Sequence, residues 1–291
     1  MVQNKYTNIH GLNKVTPVPC GKCVNCKKRR SRHWVFRLQE ETKVSSSVSF
    51  LTLTYDDENL PKTENGFATI RKKDFQSWMK RFRQECPRSK NNTRIKYYAV
   101  GEYGEKNDRP HYHAVLFNVP HSIIRNPQKV VDTWKQGIIE LEYPRNNAKT
   151  TNYVTGYITK STFERRDHYD LNTGLITEDD RVKDFSLMSK GMGINYLTPK
   201  MINYFRDRQI FVIVREDGEL ISMPRYYKNK IFTPKELSKM YKEYINILDM
   251  DMEEEIKNIG SDYFKRQRDQ IQALIRKTDK ENKLKRTTIF T

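Results

Sequence analysis

Residues 94–119, RIKYYAVGEYGEKNDRPHYHAVLFNV, decide the fold. Two runs of β-branched and aromatic residues, Arg94–Tyr103 and His111–Val119, flank GEKNDRP, a segment of turn formers, and together they read as an antiparallel pair of strands. Upstream, VSFLTLT (48–54) reads as a further strand. Phe75, Trp78, Met79 and Phe82 stand at i, i+3, i+4 and i+7, which predicts an amphipathic helix over 72–85. Downstream come a helix over 121–135, a strand at Gly137–Tyr143 and a helix at Asn152–Thr162. Strand, helix, strand, strand, helix, strand, helix is the order of an α+β fold: a central antiparallel sheet with packed helices. Around this core, taken as residues 46–165, lie a Cys-rich basic segment (1–45) with a helix near 27–43 and a polar accessory segment (166–232). The latter is loop-like over 165–185, with a strand at Ile210–Val214. Charged C-terminal helices (233–291) complete the chain.

The 291 residues carry 54 Lys and Arg against 36 Asp and Glu, a formal charge of +18. The basic residues run from Lys27–Arg32 to Lys283–Arg286, so a long polyanion is the expected partner. Tyr (17) and Phe (13) are plentiful enough to stack on single-stranded bases, although most belong to a core. No apolar run approaches the length needed to span a bilayer, and MVQNKYTNIHGLNKV lacks the apolar segment of a secretory signal. An intracellular, reducing setting is therefore expected, with Cys20, Cys23, Cys26 and Cys86 as thiols or metal ligands rather than disulfides.

Three groups of residues carry chemistry. In Arg109-Pro110-His111-Tyr112-His113 the two histidines share one face of a strand, about 7 Å apart at the Cα level, as a pair of metal ligands requires. Surface histidines at that spacing are the bland reading. Glu102, at the end of the preceding strand, can complete a two-histidine, one-carboxylate set, with Glu105 a competitor. Such nitrogen and oxygen donors suit Mg²⁺ or Mn²⁺, which polarise phosphate oxygens. Finally, Tyr153, Tyr157 and Lys160 fall at i, i+4 and i+7, one stripe of a helix. Such a stripe either lays tyrosines on the sheet or presents a nucleophile whose phenolate, with a free pKa near 10, needs a neighbouring cation.

Cys20-Gly-Lys-Cys23-Val-Asn-Cys26 is a tight CxxCxxC. Structural Zn²⁺ normally takes four ligands, and Cys86, His10 or His33 can supply the fourth. An iron–sulfur cluster also fits the spacing, and three unligated thiols are the null. Metal here would pin the basic segment Lys27, Lys28, Arg29, Arg30 and Arg32, which, with Arg109, is placed to grip DNA phosphates.

The combination of a strand-borne His-hydrophobe-His, an upstream acid and a later Tyr-x-x-x-Tyr-x-x-Lys resembles the HUH endonucleases, with the order of elements found in replication initiators. PCGKCVNCKKRRSRHWVFR, FLTLTYDDENLP, GEYGEKNDRPHYHAVLF, the two-tyrosine helix, SKGMGINYL (189–197) and PRYY (224–227) resemble the replication initiators of microviruses, particularly the gokushovirus branch. The resemblance implies an RRM/ferredoxin-like core and site-specific nicking of single-stranded DNA through a 5′-phosphotyrosine that starts rolling-circle replication. It further implies metal binding by His111, His113 and Glu102, nucleophiles Tyr153 and Tyr157, and assistance by Lys160. Origin DNA, a host helicase and a polymerase are the implied partners, in the bacterial cytoplasm. No Gly-x-x-x-x-Gly-Lys-Ser/Thr loop is present, so no nucleotide cofactor is expected. The competing readings are an HUH transposase or plasmid initiator, and a non-catalytic RRM-like module stacking bases on Tyr97, Tyr98 and Phe117.

Overall fold

The computed structural model describes residues 20–21, 23–86, 94–104, 107–126, 128–142, 167–169, 173–260 and most of 262–277. By its contacts the chain divides into two units, Arg30–Thr198 and a second made of Met1–Arg29 with Pro199–Thr291. These differ from segments drawn on composition, because contacts follow packing: the helix after the cysteines and the segment near residue 190 both join the sheet.

The sheet of the first unit has five strands: β1 (Val48–Tyr55), β2 (Lys96–Tyr103), β3 (Pro110–Phe117), β4 (Gly137–Glu142) and β7 (Phe185–Met188). Their spatial order is β4-β1-β3-β2-β7, and every pairing is antiparallel. With α2 (Lys72–Glu85) after β1 and α4 (Gln128–Trp134) before β4, the first four strands form the β-α-β-β-α-β arrangement of ferredoxin-like domains. The α+β architecture expected from the sequence is the one observed. The helix expected over 121–135 is instead α3 (His121–Ile124) and α4. Pro127 accounts for the break, since proline lacks a donor and disfavours helical backbone in the residue before it. The stretch expected to be a loop over 165–185 contains a short hairpin, β5 (His168–Tyr169) with β6 (Ile176–Thr177), and runs straight into β7. The helix expected at Asn152–Thr162 lies outside the described residues.

Alternation gives the sheet two different faces. On one, Leu51, Leu53, Tyr55, Tyr112, Ala114 and Leu116 pack against Phe75, Trp78, Met79 and Phe82 of α2 and Val130 and Trp134 of α4. Each of these large side chains contributes about 1.5–3 kcal/mol by leaving water. The indoles are satisfied as well: Trp78 Nε1 donates to Thr133 Oγ1 (2.9 Å) and Trp134 Nε1 to the Thr54 carbonyl (3.1 Å). On the other face, Phe50, Tyr98, Val100, Val115 and Phe117 are covered by Trp34 and Leu38 of α1 (Val24–Val44) and by Met192.

The SKGMGINYL segment is tied to α1 by charge and hydrogen bonds. Glu41, 1% exposed, is neutralised by Lys96 Nζ (2.7 Å) and accepts from the Gly193 amide (2.9 Å), while Arg37 donates to the Met192 carbonyl. A second buried ion pair holds the approach to β7. Arg181 meets both oxygens of the fully buried Asp179 at 3.0 and 2.9 Å and reaches Asp108 at 3.0 Å.

In the second unit, α5 (Pro199–Arg208), the hairpin β8–β9 (Val212–Val214, Leu220–Ser222), α6 (Arg225–Ile231) and the long α7 (Pro234–Ile259) surround Phe205, Ile213, Ile221, Met223, Tyr227, Ile231 and Met240. A capping box starts α7: Thr233 Oγ1 accepts from the Glu236 amide, and Glu236 accepts from the Thr233 amide. The PRYY stretch forms the start of α6. Among the described residues no helix is long and apolar enough to cross a membrane.

One glycine is imposed by the sheet. Gly137 opens β4 at φ 140°, where an added Cβ would lie 2.3 Å from the Thr54 carbonyl oxygen and the Asp56 amide nitrogen. Gly137→Ala should therefore lower unfolding stability by at least about 1–3 kcal/mol, read as a lower urea midpoint; an unchanged midpoint would show that β4 accommodates the methyl group.

Candidate functional site

The hairpin β2–β3 sets the site. In its register Glu102 stands opposite His111 and Val100 opposite His113, and β1 places Thr52 beside His113 on the other side. All project from the sheet face that α1 covers only in part. His113 is buried between Phe50, whose ring stacks on it at 5.5 Å, and Thr52, whose Oγ1 lies 3.1 Å from Nδ1. The two imidazoles meet edge to face, their centroids 4.8 Å apart.

Hydrogen bonding fixes which nitrogen of each ring is available. His111 Nδ1 lies 2.9 Å from the Arg109 carbonyl, which can only accept, so Nδ1 carries the proton. Its Nε2 then faces Glu102 Oε1 at 3.3 Å, and His113 Nε2 faces the same oxygen at 3.5 Å. In the neutral ring of His111 a lone pair meets a carboxylate oxygen: two acceptors share one space. A cation between them is required, and a proton is the smallest that serves. Accordingly, burial pulls the pKa of His111 down, but hydrogen bonding to Glu102 and to the Arg109 carbonyl, with the charges of Glu102 and Asp184, outweighs it and leaves the pKa above the ordinary value.

The set also fits a divalent ion. The donor atoms of Glu102, His111 and His113 all lie within 4.8 Å of one another. Two donors bound at the usual 2.0–2.1 Å stand about 3.0–3.4 Å apart around one ion, and the two contacts of Glu102 are close to that. One oxygen and two nitrogen donors suit Mg²⁺ or Mn²⁺, and the backbone carbonyl behind His111 is the outer partner such ligands need. Glu105 lies outside the described residues.

Cys20, Cys23 and Cys26 form the other ligand group among the described residues. Cys20 Sγ and Cys26 Sγ are 4.0 Å apart, and the Cys23 amide donates to Cys20 Sγ at 3.2 Å. Zn–S bonds of about 2.3 Å in a tetrahedron put sulfurs about 3.8 Å apart, so the cluster is already near the size of a zinc site. Cys86, a candidate fourth ligand by sequence, is not in this group. It packs beside the apolar core of the sheet, and burial pushes its thiol up to about 12, which favours a neutral, core-type cysteine. His10 lies outside the described residues.

The predicted phosphate grips Lys27, Lys28, Arg29, Arg30 and Arg32 lie on the N-terminal half of α1, with Arg29, Arg30 and Arg32 exposed. Arg30 donates to Ser186 Oγ at 3.1 Å. Arg109 is engaged within the fold: its guanidinium donates to the Tyr55 carbonyl at 2.6 Å and pairs with Asp57 at 2.8 Å, bracing the end of β1 beside the site. Tyr153, Tyr157 and Lys160 lie outside the described residues. Thr52 and Phe50, which orient His113, were hidden in a strand that read only as hydrophobic alternation.

The base-stacking alternative meets a direct obstacle. Tyr98 and Phe117 are 0% exposed, and Tyr97 packs against Phe75 at 5.2 Å, so these rings are core rather than platform.

Fold and site together define a class: a ferredoxin-like α+β domain with a two-histidine, one-carboxylate centre at one end of its sheet. The comparisons narrow this. Residues 48–162 match the Replication-associated protein ORF2 family, a span that includes Glu102, His111, His113, Tyr153, Tyr157 and Lys160. The chain is similar to Replication-associated protein ORF2 of Spiroplasma virus 4, 28% identical over 233 residues, which cover 74% of this chain and 67% of that protein. It is also similar to Replication-associated protein VP4 of Bdellovibrio phage phiMH2K (26% identical; 72% of this chain and 66% of that protein). Replication-associated protein ORF4 of Chlamydia phage 1 is 24% identical, over 73% of this chain and 53% of that protein. No solved structure matches. These matches uphold the resemblance to the rolling-circle replication initiators of microvirus-type phages.

Two outcomes follow for metal binding. Because His111 holds a proton above the ordinary histidine range, Mn²⁺ must displace it; affinity measured by calorimetry should rise with pH through and above that range and be flattened in His111→Ala. An affinity independent of pH would contradict the geometry. At the cysteines, Cys23→Ser should lose most of the zinc that metal analysis finds with purified protein, and equal zinc content in both would remove the site.

Proposed function

We propose that the protein is a metal-dependent, site-specific single-stranded DNA endonuclease and strand transferase that initiates rolling-circle replication. The observation that carries this is the convergence of His111 Nε2 and His113 Nε2 on one oxygen of Glu102, at 3.3 and 3.5 Å, where a cation is required. His111, His113 and Glu102 hold Mg²⁺ or Mn²⁺. When bound, the ion polarises a non-bridging phosphate oxygen.

The phenolate of Tyr153 or Tyr157 attacks the phosphorus in line. The tyrosine O–P bond forms as the P–O3′ bond breaks, and the departing oxygen takes a proton to become a 3′ hydroxyl that primes synthesis. Lys160, one turn from Tyr157 on the helix read from the sequence, offsets negative charge on the phenolate or phosphate. Phosphoryl transfer of this kind depends on positioning and charge neutralisation. The second tyrosine then cleaves the regenerated origin, and the released 3′ hydroxyl displaces the first tyrosine and closes the circle. The phosphotyrosine retains the bond energy, so joining needs no nucleotide. The charge of +18 supports a nucleic-acid substrate, and the basic half of α1 supports a strand-binding surface.

Mixing the protein with Mn²⁺ and single-stranded phage DNA bearing the origin should give a covalent adduct that survives denaturant. Tyr153→Phe combined with Tyr157→Phe should abolish the adduct while DNA binding persists. Either single change leaves one round of nicking, and mass mapping locates the oligonucleotide on the remaining tyrosine. An adduct of undiminished yield in the double variant would overturn the assignment.

A further inference from the structure

The strand that flanks Glu102 on its other side lies beyond the ferredoxin-like core. β7 pairs with β2 in the register Val100↔Ser186 and Gly101↔Phe185. The ring of Phe185 lies over Gly101, so near that an added Cβ would meet it at 2.9 Å, and this close seating holds β7 in place. One step further along the register, Asp184 comes opposite Glu102. Alternation puts both on the face that carries His111, so Thr54, His111, Glu102 and Asp184 form one row across β1, β3, β2 and the start of β7.

Directly opposed side chains on neighbouring strands have Cβ atoms about 4.5–5.5 Å apart, and like charges in that relation repel. The charge of Asp184 is felt at the imidazole of His111. Yet Asp184 is not among the donors that lie within 4.8 Å of one another. It stands one layer out, at the distance of a water. Mg²⁺ and Mn²⁺ in such sites keep several waters, since Mg²⁺ in particular dehydrates reluctantly. Glu102 alone balances half the charge of a divalent ion; Glu102 with Asp184 balances it fully.

Resting on the metal centre argued above, we propose that Asp184 is its outer carboxylate, a positioning residue that accepts a hydrogen bond from a water on the ion and neutralises the ion's remaining charge.

The test is Mn²⁺ titration of the full chain, with free ion read by electron paramagnetic resonance, alongside thermal melts with and without Mn²⁺. Asp184→Asn should weaken Mn²⁺ binding about 10- to 100-fold, as loss of an outer-shell partner does, and Asp184→Glu should recover most of it. Without metal, Asp184→Asn should melt no lower than the unaltered protein, because a like-charge pair is relieved, and Mn²⁺ should raise its melting temperature less. If Asp184→Asn binds Mn²⁺ normally while His111→Ala loses it, the proposal fails and the metal centre stands. If both bind normally, the centre falls and the proposal with it. If Asp184→Asn melts lower without metal but gains as much from Mn²⁺, Asp184 is only structural and the proposal is overturned.

Discussion

Two acceptors cannot share one space without a cation between them, and the site is built around that condition. The Arg109 carbonyl commits the Nδ1 proton of His111, and Thr52 stands at Nδ1 of His113, so both Nε2 atoms turn toward Glu102. Burial by itself would lower the pKa of His111. The carboxylate and carbonyl win, and the ring holds its proton above the ordinary range. A proton in that position marks where a larger cation belongs.

The rest of the fold serves to keep those atoms in register. One face of the sheet is sealed by α2 and α4 with large aromatic side chains, which fixes the strands as a rigid layer. The opposite face is sealed over only part of its length, by Trp34 and Leu38 of α1 and by Met192, so the histidine end stays accessible: His111 and Glu102 keep 16% and 12% side-chain exposure. A strand of alternating residues has this consequence by construction. Tyr112 belongs to the core and is fully buried, while its neighbours His111 and His113 belong to the site. A shift of one residue in the pairing of β2 with β3 would turn the histidines into the core and the tyrosine out. The aromatic packing behind Tyr112 therefore also secures the metal ligands.

The same comparison of magnitudes separates the two roles of the charged residues. The Arg181–Asp179 pair is buried and bidentate, and breaking such a pair costs about 3–5 kcal/mol. The exposed basic residues of α1 contribute little to folding, since surface pairs are typically worth about 0–1 kcal/mol; their value lies in meeting a polyanion.

Much of this was legible in the chain alone because it depends on local periodicity. The i, i+2 spacing of His111 and His113 put them on one face, the 3.6-residue period of Phe75, Trp78, Met79 and Phe82 specified α2 to the residue, and GEKNDRP marked the hairpin that brings Glu102 across. Pairings between distant segments were not legible. FSLM at 185–188 is too short to announce a strand, and it becomes one because β2 has an open edge to receive it. Cys86 shares its residue type with the cysteine cluster, yet its place against the core was decided by the end of α2. Likewise the tautomer of His111 rests on a carbonyl two residues away whose direction only the folded strand supplies. Side-chain period is a property of neighbours in sequence; register, burial and hydrogen-bond direction belong to segments that meet only when the chain is folded.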